Sequence, residues 1–397
     1  QYIAMYPTRV EDTYKWMYDN LDLWGNSSEK KDASIIIAAL IFHHRKSLLK
    51  FQKDFLMLNK TSLICNICES NFHRLASPYK LTFVLTYRCN FKCQICRIWD
   101  NPFPKEFQIS EIEKIFKNFK RLNWIDLTGG EITLREDIID VINVIAHNAR
   151  KLLIFHISTN GRRPDTAVLM AKAVLKANLI PVINISIDGP RLINDQLRGV
   201  NGAFATSLET FKKLKKLSPH GHFYLSCTLS RHNIAHIDDL IIQLKQEIKE
   251  FNLSDIHFNL CHASSHYYKN KEIISQGDLN PVAVMKYLTL SKNGQRIKIF
   301  FEDQYLKGMT KFLSGDKFPV PCQALNATCF IDPEGNVYPC GIYNEPIGAL
   351  RDFNYDINKI WHHEKTLSVR GEIIDKQCPG CWSPCEAYPA ILGKIFF

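Results

Sequence analysis

The chain has 397 residues, 46% hydrophobic and 23% charged, with 50 Lys and Arg against 40 Asp and Glu for a net charge of +10. At roughly 100–200 residues per domain the length predicts two or three domains, and the composition excludes a disordered tail and a collagen-like chain. Thirteen cysteines are too sparse for a small disulfide knot and odd in number, so they cannot all pair internally.

Residues Gln1–Asn20 are polar and aromatic, without the apolar core of a signal peptide. The most apolar run, Ala33–Phe42, is half the length a bilayer span needs, about 20 residues. His43, His44, Arg45 and Lys46 follow it. Asp32–Leu58 reads as an amphipathic helix with a basic face, packed on a core or resting on a membrane surface or partner. The positive charge is spread thinly, and no nucleic-acid motif accompanies it, so nucleic acid is not favoured. Residues 1–77 therefore read as a helical N-terminal segment. Within it Cys65 and Cys68 form a lone C-x2-C, structural or incidental.

From Leu81 the chain alternates strands and helices. Expected strands are Leu81–Thr86, Trp124–Leu127, Leu152–Ser158, Pro181–Ile187, His222–Leu229 and Asp255–Cys261. Expected helices are Ile109–Phe119 with Ser110 as N-cap, Asp137–Arg150, Asp165–Ala177, Ala203–Leu217 and Ile237–Phe251. This pattern predicts an α/β fold over residues 78–270: six parallel strands with helical crossovers, curved into a partial barrel. Chemistry in such folds sits at the C-terminal strand ends. Residues 271–318 read as a bridging region with a helix at Pro281–Ser291 and a strand at Arg296–Phe301. Residues 319–397 are rich in Cys, Pro and Gly and read as a small domain supported by a metal.

The first strand end carries Cys89, Cys93 and Cys96, spaced C-x3-C-x2-C. Three thiolates on one short loop can converge on one centre, and a [4Fe–4S] cube so held keeps one iron open. A zinc site or unpaired core thiols are the alternatives. Later strand ends carry Thr128-Gly129-Gly130-Glu131, Ser158-Thr159-Asn160-Gly161 and Ser186-Ile187-Asp188-Gly189-Pro190. Asp195, Arg198, Gly199, Gly202 and Phe204 follow. Together, in order, these resemble the radical S-adenosylmethionine (SAM) superfamily over roughly Lys80–Ser265. The resemblance implies a partial (β/α)6 TIM-like barrel. It implies that Gly129, Gly130 and Glu131 contact the methionyl amine, that Arg198 pairs with the SAM carboxylate, and that Ser158, Asn160, Ser186 and Asp188 line the pocket. Ile95 stands where the family usually places an aromatic residue against adenine, and an aliphatic side chain can pack there.

C-terminally, Cys322 and Cys340 are separated by 17 residues, and 37 more lead to Cys378-Pro379-Gly380-Cys381, then Cys385. This resembles the SPASM and shorter twitch extensions of radical SAM enzymes. It implies one auxiliary [4Fe–4S] cluster on Cys322, Cys340, Cys378 and Cys381, with Cys385 or Cys329 as substitutes, or zinc on the same thiolates. Cys329 reads as a buried thiol; Cys227 and Cys261, within strands, read as core residues.

The resemblance implies reductive cleavage of SAM to a 5′-deoxyadenosyl radical that abstracts hydrogen from a substrate C–H bond. A reductant such as flavodoxin or ferredoxin and a reducing, cytoplasmic setting are implied with it. Oxidation or remodelling of a small molecule is the first expectation. Maturation of a ribosomally made peptide is the second, and an inactive Fe–S or zinc protein the third. His257 and His262, flanking the sixth strand end, are candidates for substrate contact or proton transfer. His43–His44 and His362–His363 read as solvated helical residues.

Overall fold

Each of the six expected strands carries an apolar side chain at every second position, and that spacing sets the architecture. In the computed structural model, which describes residues 57–102, 105–218, 221–274, 296–316 and 319–394, the strands are β1 (Lys80–Val84), β2 (Trp124–Thr128), β3 (Ile154–Thr159), β4 (Ile180–Ser186), β5 (His222–Leu229) and β6 (Ile256–Leu260). They pair in parallel in chain order. The crossovers are α1 (Ile109–Lys117), α2 (Ile138–Asn148), α3 (Pro164–Lys176), α4 (Arg191–Arg198), α5 (Ala203–Leu217) and α6 (Ile237–Glu247).

One strand face carries Leu81, Phe83, Ile125, Leu127, Phe155, Ile157, Ile183, Ile185, Phe223 and Leu225, all buried in the main core. Each such side chain contributes about 1.5–3 kcal/mol of burial, and α1, α2, α3 and α5 cover them with Ile112, Ile115, Phe116, Val141, Ile142, Val174 and Phe211. The other face carries Lys80, Thr82, Asp126, His156, Ser158, Asn184, Ser186, Ser226 and Asn259. Parallel strands covered on both faces are usually apolar throughout. Here the second face lines a polar lumen, and β2 to β6 all contribute to one cavity there, as a curved, partly closed barrel requires.

Three expectations change. The first crossover helix begins at Ile109, so Ser110 lies inside it; the cap is Gln108, whose N–H donates to Glu111 Oε2 at 2.9 Å. The strand expected at Arg296–Phe301 is the start of an 18-residue helix, α7 (Arg296–Leu313). Its short period-two run is overridden by a longer helical one: Tyr305, Leu306 and Met309 are buried, with Tyr305 stacked 5.9 Å from Trp382. Helix α4 was not expected at all. The helix expected at Pro281–Ser291 lies outside the described residues, as does Asp32–Leu58 except for its last two, which belong to a helix running to residue 72.

The C-terminal region is not packed apart from the barrel, since Asn59–Phe397 forms one compact unit. Strand β7 (Thr328–Ile331) pairs in parallel with the free edge of β1, and β8 (Asn336–Tyr338) and β9 (Gly348–Ala349) extend the sheet antiparallel. An unpaired edge leaves backbone donors and acceptors unsatisfied, and this chain covers the β1 edge with its own C-terminal segment. Helices α8 (Ile357–Trp361), α9 (Glu364–Ile374) and α10 (Pro384–Lys394) follow. Among the described residues no helix is long and apolar enough to cross a membrane.

The C-terminal segment also locks onto the entry to the barrel. Trp361 is fully buried, its Nε1 donates to the Leu75 carbonyl at 2.7 Å, and the Arg74 guanidinium lies 4.4 Å over its ring. Trp361→Ala is expected to lower stability by about 3–5 kcal/mol, read as a shift in the urea unfolding midpoint; an unchanged midpoint would show that this contact is dispensable.

Candidate functional site

The chain leaves β1 through Thr86 and enters the loop of Cys89, Cys93 and Cys96. The end of β2 lies against this loop: Gly130 N–H donates to the Thr86 carbonyl and Glu131 N–H to the Arg88 carbonyl, both at 2.8 Å. A Cβ on Gly130 would fall 2.2 Å from the Arg88 carbonyl oxygen, so no side chain is tolerated there. The glycine pair thus lets two backbone segments meet, besides lining the cavity.

Glu131 differs from its expected role. It is buried, and its carboxylate accepts from Thr133 N–H and Oγ1, Thr159 Oγ1 and Asn160 N–H at 2.6–3.1 Å. With both oxygens engaged, it ties the end of β2 to the end of β3 and is not among the cavity-lining residues. Asn160 does line the cavity and donates to Asn90 Oδ1 at 2.8 Å.

The stretch from Asp195 to Phe204 clamps the loop from the β4 side. Asp195 accepts from Gly202 N–H at 2.7 Å and Phe204 N–H at 2.8 Å, and Gln94 N–H donates to the Leu197 carbonyl at 2.9 Å. Gly199 ends α4 at φ +68°, where a Cβ would meet the Lys92 carbonyl at 2.7 Å. Arg198 is carried beneath the cysteines: its Nη2 lies 2.8 Å from Asp188 Oδ2 and its Nη1 3.9 Å from Cys93 Sγ. Its Nε is buried and has no partner. Asp188 also accepts from Thr228 N–H at 2.9 Å.

These groups surround one cavity at the C-terminal strand ends. Cys89, Cys93, Cys96, Ile95, Gly129, Gly130, Ser158, Asn160, Ser186, Asp188 and Arg198 all line it. His262 lines it too; burial pushes its pKa down to about 4, and its Nε2 is unpartnered. His257 does not line it. Its ring faces Tyr224 at 4.2 Å and Glu302 Oε2 at 3.5 Å. Cys261, expected in the core, lines the cavity instead, because the strand's alternation turns it inward with Asn259.

Sequence reasoning missed two further groups. Asn270 donates to the Ile95 carbonyl at 2.8 Å and Tyr268 accepts from Arg97 N–H at 2.9 Å, so the segment after β6 closes over the cysteine loop. Lys80, Asp126 and His156 meet in the lumen; strand alternation places each on the inward face, and the pairing of β1, β2 and β3 brings them together.

The C-terminal cysteines gather separately. Cys322, Cys340, Cys378 and Cys381 line a second cavity with Glu386. Cys385 is absent from this group and lines the first cavity; α10 begins at Pro384 and turns it inward. Cys329 is buried in the core, as is Cys227. Cys65 and Cys68 are unpaired thiols on the helix that ends at residue 72.

Both cavities suit iron–sulfur clusters. Burial pushes the Cys89 thiol up to about 12 and those of Cys93 and Cys96 up as well. It does the same to Cys322, Cys340 and Cys378, and to Cys381, at about 11. Thiols so buried need a cation to ionise, and a metal supplies it. The unpartnered Arg198 Nε and its guanidinium fit a carboxylate beside the first cluster.

Comparison with known proteins agrees. Residues 83–244 match the model of the radical SAM superfamily, and residues 322–382 match the SPASM iron–sulfur cluster-binding domain. The chain is 26% identical over 348 residues to the mycofactocin maturase MftC of Mycobacterium ulcerans, covering 84% of this chain and 87% of that protein. It is 24% identical over 406 residues to the antilisterial bacteriocin subtilosin biosynthesis protein AlbA of Bacillus subtilis, covering 96% and 78%. Its fold is similar to Streptococcus suis SuiB bound to precursor peptide SuiA, with TM-score 0.53 and 16% identity over 93% of this chain and 79% of that one.

Two cubes correspond to about eight irons per chain. Replacing Cys89, Cys93 and Cys96 by Ala is expected to remove about half of the iron, and replacing Cys322 and Cys340 the other half, by colorimetric iron assay. Cys385→Ala is expected to leave the iron content unchanged; a loss of a quarter or more would return Cys385 to the ligand set.

Proposed function

Because this chain belongs to the radical SAM superfamily and carries a SPASM iron–sulfur domain, we propose that it matures a ribosomally made peptide by radical oxidation. The chemistry of its class is reductive cleavage of SAM at a [4Fe–4S] cluster, giving a 5′-deoxyadenosyl radical that abstracts hydrogen from a substrate C–H bond. In this reading Cys89, Cys93 and Cys96 hold that cluster. The Arg198 guanidinium orients the SAM carboxylate, the Gly129–Gly130 backbone receives the amine, and Ile95 packs on the adenine. Cys322, Cys340, Cys378 and Cys381 hold the auxiliary cluster. The barrel would confine a reactive species around the radical.

The cavity carries the enzymatic reading: the three thiols, the glycine pair and the unpartnered Nε of Arg198 share one space. An inactive binding protein would have no use for that combination. The extent of the likeness supports a peptide substrate over the small molecule first expected. The match to AlbA reaches 96% of this chain, well beyond the barrel and cluster domain, and MftC is named as a maturase. A flavodoxin or ferredoxin would supply the electron, in the reducing cytoplasm that so many unpaired thiols suit.

Anaerobic reconstitution with iron, sulfide, SAM and dithionite is expected to yield 5′-deoxyadenosine by chromatography; none would sink the radical reading. Adding the short peptide encoded beside the gene is expected to give a product lighter by two hydrogens on mass spectrometry. An unmodified peptide, with deoxyadenosine still formed, would return the small-molecule reading.

A further inference from the structure

The lumen holds charges that neither cluster site uses. Lys80 Nζ and Asp126 Oδ2 pair at 2.7 Å, both side chains almost wholly buried. Lys80 Nζ also donates to the Cys385 carbonyl at 2.7 Å. Asp126 Oδ1 accepts from Trp124 Nε1 at 2.7 Å and lies 3.0 Å from His156 Nδ1. Parallel pairing sets Lys80 beside Trp124 and Asp126 beside His156, so the row Lys80–Asp126–His156 crosses three strands. His156 ends the row and lines the cavity. On the next strand Asn184 lines the same wall with a buried Oδ1 that has no partner.

The row is costly as a structural device. Burying two charges carries a desolvation penalty of several kcal/mol per ion, and apolar residues of similar volume hold strands together as well or better. What it does provide is a defined imidazole. Asp126, kept ionised by Lys80 and well below the usual carboxylate range, accepts from Nδ1–H. That fixes the tautomer and leaves the Nε2 lone pair for the cavity, the arrangement by which a carboxylate orients a histidine base.

We propose that His156 is the proton acceptor of the substrate cavity, with Asp126 and Lys80 as its positioning residues. The inference rests on the oxidative peptide reading. After a carbon bearing an N–H or similar group loses its hydrogen atom, the carbon radical passes one electron to an iron–sulfur acceptor. The neighbouring heteroatom passes its proton to His156 Nε2, and the carbon–heteroatom bond becomes double. Two electrons and two protons leave the substrate in all, one of each as the abstracted hydrogen atom. The substrate is thus a residue whose reacting carbon adjoins a heteroatom carrying hydrogen, and Asn184 Oδ1 is placed to accept a hydrogen bond from it.

The test uses the full, cluster-loaded chain. With the peptide that wild type modifies, His156→Gln is expected to lower the ratio of modified peptide to 5′-deoxyadenosine about 100-fold, the scale of a lost general base. Added imidazole is expected to restore the ratio in His156→Ala at least tenfold, which a packing role would not allow. A ratio within threefold of wild type in His156→Gln, or no rescue in His156→Ala, would overturn the proposal. A second readout needs no turnover. In ¹⁵N-histidine spectra of the oxidised enzyme, the resonance lost in His156→Gln is expected to show the Nδ1–H tautomer, and Asp126→Asn is expected to shift it. If the resonance shows the Nε2–H tautomer, or stays in place in Asp126→Asn, the proposal fails. Should wild type modify no peptide, the peptide reading fails separately, and these spectra still decide the role of Asp126.

Discussion

Strand β1 is paired on both edges, and the catalytic end of the molecule depends on that. One edge holds β2, whose Gly129–Gly130 turn lies against the cysteine loop leaving β1. The other holds β7, which leads into the auxiliary cysteines. Parallel ladders fix register residue by residue. The three thiols, the glycine pair and the C-terminal domain are therefore placed relative to one another by two runs of backbone hydrogen bonds. Lys80, also on β1, extends the same control into the lumen.

The two cavities are joined by a short piece of chain. Residues 378–381 line the auxiliary cavity and residues 383–385 line the first one. Cysteines four residues apart thus line different cavities because α10 starts between them. Lys80 binds the carbonyl of Cys385, and neighbouring Glu386 accepts from Thr328 Oγ1 at 2.7 Å. The start of α10 is therefore held to β1 and β7, which keeps the two cavities in a fixed relation.

Much of the barrel was legible. The apolar positions of LTFVLT, IDL, FHIS and VINIS recur at period two, and the helices between them carry one apolar face, so strands and crossovers fall within a few residues of expectation. The cysteine loop and the Gly-Gly-Glu and Asp188–Gly189 elements were legible because tight spacing and strand-end position are sequence properties. The role of Glu131 was not. Its acid type suits an ammonium, yet four donors from two strand ends consume it, and only the fold brings Thr159 and Asn160 to it. The strand expected at Arg296–Phe301 failed because a short period-two run of Ile and Phe is equally compatible with the helix that later residues impose. His257 and His262 looked equivalent as flanks of one strand, but one faces Glu302 and the other the cavity.

The sequence by itself determined the α/β class, the order of the strands, the two cysteine sets and the family to which they belong. These reside in periodicity and short-range spacing, which survive without knowledge of distant contacts. Only the tertiary structure decided that the C-terminal segment continues the barrel sheet, that Cys385 and Cys261 face the first cavity, and that Lys80, Asp126 and His156 form one row. Each of these depends on which strand edge pairs with which and on the face a residue presents. Such long-range pairings are set by the assembly of the whole sheet, and no local pattern encodes them.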